Sequence, residues 1–165
     1  MATEFDQFMR KVERAANRVG IHDSHLKAML MGMCAQESRG KALPDKPTIL
    51  AEAHKNLFGI KWNVWKDPER EWYYRVDMPA NEFERAAGEV GEVAYRGYES
   101  MEHCIENWLW HLDDSRYYRP ARTIGHREWV RQIAETWAEG NPRHAVEVVQ
   151  LYDHYIEEIY KRGEE

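Results

Sequence analysis

Between Met101 and Leu112, six apolar residues (Met101, Cys104, Ile105, Trp108, Leu109 and Leu112) recur at the spacing of one face of an α-helix. Ser100, followed by Glu102 and His103, opens this helix, and the Asp113-Asp114 pair ends it or caps the next turn. So apolar a face must be covered by other elements, and the same period returns at both ends of the chain. Phe5, Phe8, Val12, Ala15, Ala16 and Val19 mark a first helix that Gly20 stops. Asp23 and Ser24 are N-cap residues for a second, which carries Leu26, Leu30, Met33 and Cys34 and ends near Gly40. Trp129, Val130, Ile133, Ala134 and Trp137 form a further short helix. Asn141 and Pro142 suit the N-cap and first turn of the last one, whose buried face is Ala145, Val148, Val149, Tyr152, Ile156 and Ile159. The tail from Lys161 is charged and expected to fray.

The helical period is lost between Pro44 and Tyr98, a stretch holding four of the six prolines and the cluster Trp62, Trp65, Trp72, Tyr73 and Tyr74. Short alternation from Glu71 to Val76 predicts a small hairpin or strand pair there. No repeat, low-complexity tract or linker interrupts the chain. Its 165 residues are expected to form one domain over 1–165, mainly α with a small β part.

A formal charge of -6 argues against a nucleic-acid partner, which needs a basic surface to neutralise phosphates. It argues equally against adhesion to an anionic wall by charge alone. Seven Trp and nine Tyr are many for this length; aromatic rings serve cores, and they also pack on the apolar faces of sugars. No apolar run approaches the roughly 20 residues of a membrane span, so no membrane insertion is expected. The N-terminal Met-Ala-Thr-Glu-Phe-Asp lacks the pattern of a secretory signal, which predicts a cytoplasmic chain unless another device carries it out. Cys34 and Cys104 lie on apolar faces and read as two buried free thiols. Among the eight histidines, His22 with His25 and His103 with His111 share helix faces, but no ligand spacing accompanies them, so no metal and no cofactor is expected. No nucleophile-elbow motif supports a Ser/His/Asp site. No unpaired apolar face is evident, so a monomer is expected.

Glu37 sits in the last turn of the second predicted helix, in Cys34-Ala35-Gln36-Glu37-Ser38-Arg39-Gly40. A carboxylate there meets the negative end of the helix dipole, and with partial burial its pKa would rise, favouring the protonated acid. Read locally, it is either such an acid or an exposed helix-end glutamate near Arg39 and Lys41.

Five segments in order bring a resemblance to bear. Ala35 to Lys41 resembles the "ALESGWGKS" acid motif of glycoside hydrolase family 73, the peptidoglycan glucosaminidases. Nineteen residues after Glu37, Asn56-Leu57-Phe58-Gly59-Ile60-Lys61 is identical to that family's "NLFGIK". Tyr95-Arg96-Gly97-Tyr98-Glu99-Ser100 is similar to "FRxYxS", Arg116-Tyr117-Tyr118 to "RYa", and Trp137 to Ala145 to "YATDPxYA". The resemblance spans about residues 20–150.

The resemblance implies a lysozyme-like fold, a helical lobe and a small β-containing lobe with a sugar cleft between them. It implies a peptidoglycan hydrolase cutting β-1,4 bonds between N-acetylglucosamine and N-acetylmuramic acid, with glycan strands as its partner. Glu37 becomes the general acid. Counting back thirteen residues from Tyr95 gives Glu82 as the second acidic residue, with Glu84 as the near alternative and a solvated loop carboxylate as the plain one. Asn56 and Phe58 border the cleft, as structural support or as contacts. Trp62, Trp65 and Trp72 are stacking platforms or core residues. Tyr98, Tyr117 and Trp137 complete the implied substrate-binding set. Trp137 stands where the family has a tyrosine that steers substrate, with Tyr117 or Tyr118 as other sources of a hydroxyl, and Arg39 stands where it has Trp. A phage endolysin or tail-associated lytic domain fits these expectations. The alternatives are a muramidase or lytic transglycosylase on the same substrate and, from another class, a glycan-binding module without catalysis.

Overall fold

Helix formation follows the apolar stripes closely. In the computed structural model, which describes residues 1–40, 43–63, 73–80, 88, 91–114, 125–137 and 142–163, α1 spans Glu4–Val19. Thr3 and Asp6 close its start with a reciprocal capping box, and Gly20 ends it at φ 98°. Helix α2 spans Ser24–Ser38, with the Asp23 side chain accepting from the Leu26 N–H at 2.8 Å. A short α3, Ile49–His54, follows; it is capped by Thr48 and ended by Lys55 at φ 57°. Then come β1, Tyr74–Pro79, and β2, Glu92–Gly97, and three helices: α4, Met101–Asp114; α5, His126–Trp137; and α6, Pro142–Gly163.

The strands pair antiparallel with Tyr74 opposite Gly97, Val76 opposite Tyr95 and Met78 opposite Val93. The pair thus starts later than the alternation from Glu71 predicts, and α3 was not anticipated. The segment after Gly59 runs alongside β2: Arg96 N–H donates to Ile60 O and Trp62 N–H to Ala94 O, both at 3.0 Å. Helix α6 also departs from expectation at its end. It continues through Gly163, and Arg162 clamps Glu13 of α1 with two hydrogen bonds of 2.8 and 2.5 Å, so the tail is pinned where fraying was expected.

One large cluster of buried side chains joins α1, α2, the 57–60 segment, α4, α5 and α6. Trp108, Ile105, Leu112, Met29, Leu30 and Phe58 lie fully inside it. Each such side chain contributes about 1.5–3 kcal/mol on burial, so this cluster dominates the fold's stability. Tyr155 joins it from α6, whereas Ile156 and Ile159 only flank it. A second small cluster, Ala80, Val93 and Tyr95 with Leu50 and Met78 against it, belongs to the hairpin. The architecture is therefore a helical body with a two-stranded β part, an α+β lysozyme-like fold. Cys34 and Cys104 are both free and buried. No described helix is long and apolar enough to cross a membrane.

Candidate active site

The C-terminal turn of α2, the 56–62 segment and the first turns of α6 converge on Glu37. Close packing of α2 against α6 sets this up. A Cβ at Gly32 would come within 3.1 Å of the Tyr152 backbone nitrogen and 3.3 Å of the Val148 carbonyl oxygen, so the two backbones touch there. One turn further along α2, and one turn back along α6, Gln36 Nε2 donates to Glu147 Oε2 at 2.5 Å. At the same level Glu37 Oε1 lies 3.5 Å from His144 Nε2, with side-chain exposures of 28% and 11%. Glu37 is thus half-buried at the rim of the core.

The following residues lock α2 to the next segment. Ser38 is buried; its Oγ donates to Leu57 O at 2.7 Å and its carbonyl accepts from the Thr48 N–H at 2.7 Å. The chain then turns so that Gly59, at φ +64°, lies beneath the Glu37 carboxyl group. A Cβ there would be 2.9 Å from Glu37 Oε2. The glycine meets two demands together, a left-handed backbone and a close approach.

Asn56 holds this segment in shape. Its Nδ2 donates to Ile60 O at 2.9 Å and Arg96 O at 2.7 Å, while Oδ1 accepts from the N–H groups of Ile60 at 2.9 Å and Phe58 at 3.4 Å. Phe58 stacks on Trp108 at 5.1 Å between ring centroids, and Trp137 meets it edge-on at 6.2 Å. The indole Nε1 of Trp137 donates to Phe58 O at 3.4 Å. Tyr98 donates its hydroxyl proton to Asn107 Oδ1 at 2.6 Å, beside the Arg96 Nη1 bond to the same oxygen at 2.9 Å.

Several expected contact residues are therefore placed below the surface. Asn56, Phe58 and Tyr98 are 1%, 0% and 1% exposed, and their polar groups or ring faces are engaged by the protein itself. All three are held inside the protein, and Phe58 adjoins Gly59, the residue against the Glu37 carboxyl group. Trp62 and Trp137 are half-buried at the edge of the core, and Trp62 meets Tyr73 edge-on at 5.4 Å. Glu82, Glu84, Trp65, Trp72, Tyr117 and Tyr118 lie outside the described residues.

His144, Glu147 and Gln36 were missed by the sequence reading. His144 falls inside the segment similar to "YATDPxYA", and its i, i+3 spacing to Glu147 marks one helix face. Nothing in that spacing tells which helix the face meets. Burial holds the His144 pKa below the ordinary value of 6.5, with the Glu147 charge opposing the shift. The shift favours the neutral form of the imidazole beside Glu37. Among the described residues no cluster of three or more His, Cys, Asp or Glu side chains is arranged to hold a metal ion. A cavity of about 610 Å³ lies elsewhere, between α1 and α6, where Asp6, Arg10, Glu13, Glu158 and Arg162 give it mixed charge; Glu37 and His144 do not line it.

No family model matches the chain, and no curated protein matches it significantly. Solved structures do. The glycoside hydrolase domain from Salmonella typhimurium FlgJ aligns over 95% of this chain and 91% of that one, with a TM-score of 0.57 and 14% identity. A peptidoglycan hydrolase mutant from Sphingomonas sp. A1 aligns over 88% of this chain and 91% of that one, with a TM-score of 0.53 and 15% identity. At these identities the likeness is one of fold, and it places the chain's helical body and β hairpin in the lysozyme-like architecture of these two proteins.

Proposed function

We propose that the chain is a peptidoglycan hydrolase of the glycoside hydrolase family 73 type, with Glu37 as general acid. The observation that carries the reading is the placement of Glu37: a half-buried carboxyl at a helix C-terminus, over Gly59 of the Asn56–Lys61 segment. A glycoside hydrolase domain and a peptidoglycan hydrolase with the same fold support it. In this reading the protonated carboxyl gives its proton to the glycosidic oxygen as the C–O bond breaks, a role worth about 10²–10⁴-fold in rate. Glu82 then activates the attacking water, with Glu84 as the near alternative for that role. The bond cut is the β-1,4 link between N-acetylglucosamine and N-acetylmuramic acid. Trp62, Trp65, Tyr117 and Trp137 are the contacts we assign to the glycan strand. An endolysin-like role in host lysis belongs to the same proposal, as does action as a monomer.

The test is release of soluble glycan from purified peptidoglycan by wild type, Glu37→Gln, Glu82→Gln and Glu84→Gln. Loss in Glu37→Gln and in one of the other two is expected. Loss in Glu37→Gln alone would move the chemistry to a single-carboxylate route such as that of a lytic transglycosylase. Binding without release by wild type would favour the glycan-binding module.

A further inference from the structure

The two oxygens of Glu37 have different neighbours. Oε2 packs over Gly59, where a Cβ would stand 2.9 Å from it, and Oε1 faces His144 Nε2 at 3.5 Å. His144 is held in register by the α2–α6 contact at Gly32 and by the bonds around Glu147, whose Oε1 accepts from Arg143 Nε at 3.2 Å and whose Oε2 accepts from Gln36 Nε2 at 2.5 Å. Among the described residues, charged groups placed about the imidazole include Glu37 from α2 and, on its own helix, Glu147 with its partner Arg143.

We propose that His144 is a positioning residue for Glu37: its Nε2–H donates to Oε1 and so assigns the transferable proton to Oε2, on the Gly59 side. This rests on the reading of Glu37 as the acid. As the C–O bond of the substrate breaks, its electron pair stays on the leaving oxygen, which takes the proton from Oε2. Negative charge then grows on the carboxyl group, and Oε1 shares it. An N–H aimed at Oε1 stabilises that charge more in the transition state than before it, which is the condition for raising kcat. A separation of 3.5 Å is long for a hydrogen bond, and such contacts shorten when substrate closes a site. A neutral donor suits the task better than a cation. An imidazolium at this place would hold Glu37 ionised and remove the proton it must give.

The first measurement needs no substitution. In ¹⁵N-histidine-labelled wild type, His144 is expected as the neutral tautomer carrying its proton on Nε2; a proton on Nδ1 would overturn the proposal. The second compares His144→Phe, which has no donor, with His144→Gln, which keeps a neutral N–H. Loss of a donor to a developing charge predicts a fall in kcat of about tenfold or more in His144→Phe, with KM little changed. The carboxyl carbon of Glu37, followed by ¹³C NMR, should titrate at higher pH in His144→Phe because its ionised form loses a donor. His144→Gln is expected to recover most of both. Unchanged kcat and titration in His144→Phe would overturn the proposal, as would equal damage in both variants, which marks ring shape instead of the donor. The titration separates this proposal from the wider reading. An active Glu37→Gln enzyme would remove the acid role, whereas an inactive Glu37→Gln enzyme with an unmoved Glu37 titration in His144→Phe would remove only the role of His144.

Discussion

Gly59 lies directly under the carboxyl group of Glu37, so close that a Cβ on it would stand 2.9 Å from Oε2, and its φ of +64° is one that other residues rarely adopt. The glycine of the Asn56–Lys61 segment is thereby tied to the acid through space, across 22 residues of sequence.

Gly59→Ala should therefore act twice. The left-handed backbone alone costs about 1–3 kcal/mol for a residue with a Cβ. The methyl group would also displace the carboxyl, and a misplaced acid loses on the order of 10²-fold in rate. Thermal unfolding and glycan release, measured on the same preparation, check both effects. A stable Gly59→Ala protein with full activity would contradict the contact.

Asn56→Ala is predicted to damage stability first. The substitution strips the Ile60 N–H of its partner and takes one partner each from the carbonyls of Ile60 and Arg96, all buried. A loss of about 2–4 kcal/mol in urea unfolding is expected. A residue that only touched substrate would instead raise KM and leave the unfolding midpoint in place.

Acid sensitivity should begin with histidines. His25 is held below the ordinary value of 6.5 by burial and then by the stacked His126, and His144 is held below it by burial. A base whose folded pKa is depressed binds fewer protons folded than unfolded, so stability rises with pH across that window. The contribution is complete above pH 6.5 and is lost as pH falls toward the depressed folded values. Carboxylates such as Asp6, held low by its bonds to Thr3, and Glu13, held low by Arg162, are lost only further down, below their ordinary values of 3.8 and 4.5. Tm should thus fall from pH 7 to pH 5, and fall less steeply in a His25→Gln, His144→Gln double variant. An identical slope in the double variant would contradict the assignment.

The long helices were legible because each shows its apolar face in sequence, and the caps Asp23 and Gly20 and the first-turn Pro142 are residues with a mechanical reason to stand there. Helix α3 was not, since six residues are too few to display a period; Thr48 and Lys55 hold it from outside. Glu37 was found through its motif, and its place in the last turn of α2 agrees with the reading. The bonding of Asn56 was invisible, because one of its partners, the Arg96 carbonyl, is brought in by a strand 40 residues away. His144 was hidden for a similar reason. Its neighbour is set by the crossing of α2 and α6 at Gly32, and neither helix announces its partner in its own pattern.

The measurement closest to the central claim is digestion of purified peptidoglycan by wild type and Glu37→Gln, with mass spectrometry of the borohydride-reduced fragments. The account predicts soluble fragments ending in reduced N-acetylglucosamine from wild type and none from Glu37→Gln, with both proteins folded. Equal release by the two proteins would contradict it.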